Sequence, residues 1–166
     1  MFRGKVWKYG DDINTDLIFP GRYTYVLMSE EEMGSHALED LDEAFCAQGQ
    51  RGDIIVAGKN WGCGSAREQA VKALKARGVA AIIADSFARI YFRNSLNEGL
   101  PVIACPEAVS AIENGQTVAV DMENHMVITE AGSFSFGAYH PYIQKMVDYG
   151  GLMPYVKEKL RQQGKL

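Results

Sequence analysis

The chain has 166 residues, of which 47% are hydrophobic and 23% charged, a composition typical of one compact soluble domain with its own core. With 17 Lys and Arg against 21 Asp and Glu, the net charge is −4. The sequence also lacks a block of basic residues that would contact a phosphate backbone. We therefore predict a single domain over residues 1–166 that binds no nucleic acid.

The beginning of the chain predicts neither export nor membrane insertion. Residues 1–5 are followed by alternating polar and apolar residues, and no stretch approaches the ~20 apolar residues that a membrane span needs. The widely spaced Cys46, Cys63 and Cys105 suit free thiols in a reducing compartment better than a disulfide framework. Without a Cys-x-x-Cys pair or clustered histidines, we expect a cytoplasmic chain with no metal site of its own.

The first unusual segment is polar and runs Gly10-Asp-Asp-Ile-Asn-Thr-Asp16. Its three aspartates and one asparagine would suit calcium, but the glycine and the final glutamate of an EF-hand loop are missing at their offsets. The pattern favours a polar turn with local hydrogen bonds of the Asx type.

From residue 54 onwards, short apolar runs alternate with amphipathic stretches. Continuous apolar runs predict buried strands at 54–58, 79–84 and 100–104. Helical spacing predicts helices over 65–77 and 86–97, with Gly78 and Gly99 as their stops. The core is therefore expected to be β-α-β-α-β with mainly parallel strands.

The last third of the chain predicts smaller elements. These are a short helix at 107–113, strands at 117–121, 126–129 and 133–136, and helices at 141–149 and 152–160. The segment Glu123-Asn-His125 between the first two strands indicates a β-hairpin. We expect these strands to extend an edge of the core sheet or to form a second layer.

The segment Asn60-Trp-Gly-Cys-Gly-Ser-Ala-Arg-Glu68 lies where a strand is expected to lead into a helix. Gly62 and Gly64 would allow the backbone to approach a ligand with its N–H groups turned inward. Ser65 is expected at the helix N-terminus, which favours a carboxylate or an anionic serine, and Arg67 adds a carboxylate-binding fork. These residues alone leave a second interpretation open, in which Ser65 is an ordinary N-cap and Arg67 a surface residue.

Three segments, in order along the chain, resemble the signature motifs of the swivelling domain of the aconitase superfamily. They are Gly10 to Tyr23, Asn60 to Glu68 and Ser86 to Pro101. The chain is similar in length to the separate small subunits of isopropylmalate dehydratases and homoaconitase-type enzymes. The resemblance implies a three-layer β/β/α domain, with a mainly parallel core sheet plus a C-terminal β-hairpin. It also implies a hydro-lyase that removes water from a malate-type substrate and adds it back at the neighbouring carbon.

The resemblance further implies roles for single residues. Ser65 matches the catalytic serine, which takes a proton from the carbon beside a carboxylate, and Arg67 matches the arginine that pairs with substrate carboxylate and supports the serine alkoxide. Asp16 matches an acidic positioning residue, and Gly64 belongs to the substrate-binding backbone. Many members have Ser-Ser-Arg-Glu-His where this chain has Ser65-Ala-Arg-Glu-Gln69, so a second serine and a histidine are missing.

The family's cofactor and partner are implied in the same way. The reaction uses a [4Fe-4S] cluster whose three cysteine ligands belong to a large subunit. We therefore expect this chain to bind no cofactor itself, and to work only with a large, cluster-bearing partner.

The stretch Tyr23-Thr-Tyr-Val-Leu-Met28 corresponds to the substrate-specificity loop of the family. The resemblance places Tyr23, Thr24, Tyr25 and Val26 at the substrate. Positions 24–28 carry no charge, which favours an alkyl substituent and thus isopropylmalate over the third carboxylate of homoaconitate. Dimethylmalate would fit the same loop, and the residues alone are also compatible with a strand or lid packed on the core.

Two features stay open at this point. Arg89 and Arg93 share a face of a predicted helix, where they would contact the large subunit, the substrate, or internal acidic partners. In addition, a non-catalytic module that binds a small carboxylate is an alternative to the hydro-lyase.

Overall fold

Seven strands form one mixed sheet in the computed structural model, which describes residues 1–165. They are β1 Phe2–Lys8, β2 Ile54–Ala57, β3 Ala81–Ala84, β4 Val102–Ala104, β5 Thr117–Asp121, β6 Met126–Thr129 and β7 Gly132–Ser135. Their order across the sheet is β4-β3-β2-β1-β5-β6-β7. The strands from β4 to β1 are parallel, whereas β5, β6 and β7 continue the sheet in antiparallel pairing.

The helices lie mainly between and after the parallel strands. They are α1 Thr15–Ile18, α2 Glu30–Ser35, α3 Glu43–Gln48, α4 Gln69–Arg77, α5 Arg89–Glu98, α6 Pro106–Ala111, α7 Pro141–Asp148 and α8 Leu152–Gln162, with a 3₁₀ turn at Gly21–Tyr23. Because α4 and α5 connect successive parallel strands, the expected β-α-β-α-β core is confirmed. Within residues 1–165, no helix has the length and apolarity that crossing a bilayer requires.

Side chains of the parallel strands alternate between two separate cores. On one face, Ile55 belongs to a cluster that contains Leu74 of α4 and residues of other helices. Ile54, on the other face, packs in a cluster that contains Val127 of β6 and Ala108 of α6. Since that second cluster unites both halves of the sheet, the antiparallel half curls over the parallel half. The structure thus confirms the α/β class and the added C-terminal hairpin.

The start of α4 corrects the sequence prediction. The helix begins at Gln69 rather than Ser65, so Ser65 is not its N-cap. The Ser65 carbonyl accepts the Thr15 hydroxyl at 3.0 Å and the Arg67 N–H at 2.9 Å. These bonds hold the chain in a turn, and the helix follows only after this turn is complete. The predicted stops are confirmed, because Gly78 and Gly99 end α4 and α5 in the left-handed conformation.

Four elements of the first third, β1 and α1 to α3, are not predicted from the sequence. The clearest missed signal is at α2, where Ser29 and Glu32 form a capping box. The Ser29 hydroxyl accepts the Glu32 N–H at 3.2 Å, and the Glu32 carboxylate accepts the Ser29 N–H at 2.8 Å. The polar segment before α1 behaves as expected, since the Asn14 side chain accepts the Asp16 N–H at 2.6 Å in an Asx arrangement.

A tyrosine covers the edge of the sheet at β4. The Tyr139 hydroxyl accepts the N–H of Val102 at 2.9 Å and donates to the carbonyl of the same residue at 2.6 Å. Both backbone groups that β4 would leave unpaired at this point are thereby satisfied.

Candidate active site

The two motifs singled out in the sequence meet at the carboxyl ends of β1 and β2. Hydrogen bonds of 2.8 Å join them from Asp12 N–H to the Lys59 carbonyl, from Gly62 N–H to the Ile13 carbonyl, and from Thr15 N–H to the Cys63 carbonyl. In parallel sheets this edge is where ligands bind, because the loops that follow the strands converge there.

A cavity of about 410 Å³ opens beside these loops, a size within the range of small-molecule sites. Three segments form its wall: the start of α1 with Thr15, the loop around Ser65, and the first turn of α5 with Arg89. The structure therefore places Ser65, Gly64 and Arg67, all predicted from the sequence, around a single opening.

Ser65 lies on the cavity wall in an exposed turn. The helix dipole that the sequence suggested for it is not available, since α4 begins four residues later and the dipole acts within the first turn. Its neighbours offer other donors. The backbone N–H groups of Gly64, Ser65 and Ala66 donate to no acceptor within residues 1–165. Successive free amides in a turn are a donor set that binds anions.

Both glycines of the turn are required by their surroundings. A Cβ on Gly62, whose φ is 78°, would lie 2.1 Å from the ring Cγ of Tyr91. A Cβ on Gly64, with φ of 92°, would lie 3.2 Å from the Asn14 side chain. Tyr91 is only 2% exposed, and burial raises the pKa of its hydroxyl, so it packs against the turn as a neutral ring.

Thr15 fixes the chain on both sides of Gly64. Its N–H donates to the Cys63 carbonyl at 2.8 Å, and its hydroxyl donates to the Ser65 carbonyl at 3.0 Å. The residue is 1% exposed. Sequence reasoning missed this function, although Thr15 stands directly before the aspartate that the family motif singles out.

Arg67 is not a free surface residue, because its side chain is 11% exposed and bound at both terminal nitrogens. Nη2 donates to Asp16 Oδ1 at 2.6 Å and to the Phe19 carbonyl at 2.7 Å. Nη1 donates to the Thr24 hydroxyl at 3.0 Å, while the buried Nε has no acceptor within residues 1–165. Arg67 thereby joins Asp16 and Thr24, two further residues predicted for the site.

The expected specificity loop forms an open turn, so the interpretation as a strand is wrong. The ring of Tyr23 stacks on His36 with centroids 4.1 Å apart and does not line the cavity. Tyr25 and Val26 are 98% and 52% exposed, and Leu27 is fully exposed. Of the four residues that the resemblance places at the substrate, only Thr24 touches the residues of the site.

Arg89 and Arg93 have different surroundings on α5. Both are exposed, and neither has an acidic partner within 4.0 Å in the described chain, so the interpretation as internal salt bridges is wrong. Arg89 lines the cavity, and Arg93, one turn later, does not.

In residues 1–165, no three His, Cys, Asp or Glu side chains are grouped closely enough to hold a metal ion. Cys46, Cys63 and Cys105 are free thiols.

Residues 12–108 match the family model of the aconitase C-terminal domain. A 3-isopropylmalate dehydratase small subunit of Caldicellulosiruptor bescii is 46% identical over 164 residues, which cover 98% of both chains. The chain belongs to the family of dehydratase small subunits. The resemblance of the three motifs is thus confirmed.

Other members of this dehydratase family are similar to nearly the same extent. A 2,3-dimethylmalate dehydratase small subunit of Eubacterium barkeri is 43% identical over 156 residues, which cover 93% of this chain and 95% of that one. A crystal structure of 3-isopropylmalate dehydratase from Methanocaldococcus jannaschii superimposes with a TM-score of 0.92 at 37% identity, covering 99% and 98% of the two chains. The chain is therefore part of a hydro-lyase, and the alternative of a non-catalytic module is not supported.

Proposed function

We propose that this chain is the cytoplasmic small subunit of a 3-isopropylmalate dehydratase, which interconverts 2- and 3-isopropylmalate in leucine biosynthesis and acts only with a large subunit. One observation carries the proposal. Ser65 and the free amides beside it share a 410 Å³ cavity with two arginines, in a chain 46% identical to such a subunit over nearly its whole length.

Ser65 acts as the base. As the alkoxide, its Oγ takes the proton from the carbon next to a substrate carboxylate and becomes the neutral hydroxyl, and the same proton is returned when water is added back. A serine hydroxyl is a weak acid, so the alkoxide needs strong local donors. The unpaired N–H groups at positions 64–66 would donate hydrogen bonds to the alkoxide, and the positive charge of Arg67 would stabilise it electrostatically.

Arg67 and Asp16 order the site as a pair. The 2.6 Å bond to Asp16 and the bond to Thr24 fix the guanidinium at the cavity wall, where it supports Ser65 by its charge. The other role that the family implies, pairing with a substrate carboxylate, would use the second N–H of Nη1, which the bond to Thr24 leaves free. Asp16 is therefore a positioning residue.

The open turn around Tyr25 and Val26 supports an alkyl-substituted substrate. Neither these residues nor the neighbouring Tyr23 and Thr24 carry a charge that would pair with a third carboxylate. Because Tyr25 and Val26 are exposed in the isolated chain, they meet the substrate only when a partner covers this side. A dimethylmalate substrate is the second candidate, favoured by the 43% identity to a subunit of that enzyme.

The resemblance to the family implies a [4Fe-4S] cluster, and we propose that the large subunit holds it. When bound there, the cluster supplies Lewis-acid chemistry at the leaving hydroxyl. This chain contributes the proton transfer and part of the substrate's surroundings.

The test is reconstitution of the complex. The purified chain is mixed anaerobically with its large subunit, and hydration of isopropylmaleate is assayed; only the mixture should be active. Ser65→Ala should lower kcat by at least about 1000-fold, as expected for loss of a general base in a preorganised site. Ser133→Ala, at an exposed serine of β7, is the matched control and should leave kcat unchanged.

Two outcomes contradict the proposal. Full turnover by the Ser65→Ala complex would rule out Ser65 as the base. A preference for homocitrate over isopropylmalate and dimethylmalate, measured with the same complex, would rule out an alkyl-accepting loop.

A further inference from the structure

The cavity wall holds one arginine whose charge is not used within the described chain. Arg89 lines the cavity from the first turn of α5 and has no acidic side chain within 4.0 Å among residues 1–165. Its guanidinium is exposed and can therefore move to meet a ligand.

The second arginine of the wall, Arg67, differs in this respect. Its two terminal nitrogens are bound by Asp16, Thr24 and the Phe19 carbonyl, and its Nε is buried. A guanidinium that already has a carboxylate partner gains little from a second one. Arg89 is the cation of this cavity that gains a full ion pair from an incoming acid.

The surroundings of Arg89 add to this charge. α5 has ten residues, and its N-cap is Ala88. The methyl side chain of Ala88 cannot accept a hydrogen bond from the first N–H groups of the helix. The N–H groups of Arg89, Ile90 and Tyr91 donate to no backbone or side-chain acceptor in the described chain. The helix end thus presents free donors and a positive dipole to the cavity that Arg89 lines.

We propose that Arg89 binds a carboxylate of the substrate across the cavity from Ser65, and that the first turn of α5 donates to the same group. This inference rests on the proposed function. It gives the two arginines different roles, since Arg67 orders the turn that holds Ser65, whereas Arg89 holds the dicarboxylate so that its acidic C–H reaches that serine.

Arg93 provides the matched control for this assignment. It is also an exposed, unpaired arginine of α5, one turn further along, but it does not line the cavity. Contact with the large subunit, the other interpretation of these arginines, would involve Arg89, Arg93 or both, and would weaken subunit association. Substrate binding involves Arg89 alone.

The test uses the reconstituted complex with 3-isopropylmalate as substrate. Arg89→Gln should raise KM by about 10- to 100-fold, the range of a charged hydrogen bond, while kcat changes much less. Arg89→Lys should recover part of the loss, and Arg93→Gln should leave KM within about two-fold. Malate and its monoamide, used as inhibitors, provide a second measurement: wild type should prefer the dicarboxylate, and Arg89→Gln should lose that preference.

Subunit association, measured by sedimentation velocity, separates the outcomes. Unchanged association together with the KM effect supports the inference. An unchanged KM in Arg89→Gln, with Ser65→Ala inactive, would overturn the inference and leave the proposed function intact. Parallel weakening of association by Arg89→Gln and Arg93→Gln would show a docking role instead. If Ser65→Ala keeps full activity, the proposed function fails, and the inhibitor preference still decides the role of Arg89.

Discussion

A single buried threonine determines where the reactive turn sits relative to the sheet. Thr15 binds the carbonyls of Cys63 and Ser65 at once, so Gly64 lies between two fixed points. The Ser65 carbonyl also accepts the Arg67 N–H. Loss of the Thr15 hydroxyl therefore leaves no buried acceptor unpaired, and affects the position of the turn more than the stability of the fold.

We expect Thr15→Val to lower kcat of the reconstituted complex by about 10- to 100-fold with little change in KM, because a small misplacement of a catalytic group is costly. Thr15→Ser should retain most of the activity, since it keeps the hydroxyl. Amide hydrogen exchange of the peptide around residues 62–66, measured on the isolated chain, should be faster in Thr15→Val.

Thr129 offers a matched control for this experiment. Its hydroxyl donates to the Gly132 carbonyl at 3.1 Å in the β6–β7 turn, far along the sheet from the cavity. Thr129→Val should alter neither kcat nor the exchange of residues 62–66. Equal effects of the two substitutions would mean that Thr15 contributes only to general stability.

Gly62 lies beside the site, where a methyl group would meet a buried ring. Gly62→Ala would place a Cβ against the buried ring of Tyr91 and in an unfavourable φ, so we expect a loss of about 2–4 kcal/mol in the free energy of unfolding. Urea denaturation measures this loss. Gly137→Ala is the control, because no atom lies within 4 Å of its Cβ position; a similar loss in both variants would contradict the close packing at Gly62.

At the scale of elements, the outer edge of strand β4 obtains its hydrogen bonds from a side chain. Tyr139 pairs with both backbone groups of Val102, and burial raises the pKa of its hydroxyl to about 12. In the unfolded chain this pKa is about 10. The folded form therefore keeps its proton more strongly, so stability is full below pH 10 and decreases as the pH rises towards 12.

Tyr139→Phe should lower the free energy of unfolding by about 1–3 kcal/mol near pH 8, because Val102 loses both partners. It should also make the decrease in stability from pH 10 to 12 shallower than in wild type. Tyr142→Phe, at an exposed tyrosine of α7, is the control and should follow the wild-type curve. Identical slopes for wild type and Tyr139→Phe would exclude Tyr139 as a source of the alkaline transition.

At the scale of the whole molecule, the fully exposed side chain of Leu27 adds little to the stability of the isolated chain. Leu27→Ser should change the free energy of unfolding by less than about 0.5 kcal/mol, since the side chain is fully exposed. In the complex we expect KM for 3-isopropylmalate to rise by about 10-fold, as apolar contact with the alkyl group is lost. Met153→Ser, at an exposed apolar residue of α8, should change neither quantity.

The sequence predicts the parts of this molecule that depend on local pattern. The buried strands and the glycine stops of α4 and α5 follow from neighbouring residues. The start of α4 does not, because the residues before it are held in a turn that includes a hydrogen bond from Thr15, fifty positions away. For the same reason, the sequence pattern does not show that Arg67 is paired whereas Arg89 is not. Nor does it show that Arg89 lines the cavity whereas Arg93 does not.

The position of β1 has a consequence for the order of folding. This strand comes first in the chain yet lies at the centre of the sheet, with its last residues paired to β2 and its first residues to β5. During synthesis it leaves the ribosome more than a hundred residues before β5 exists, so residues 2–5 cannot find their partners while the local β-α-β units assemble. Addition of β5 to β1 is therefore expected to be a late step, and the open hydrogen-bonding edge of β1 is where misassembly would begin.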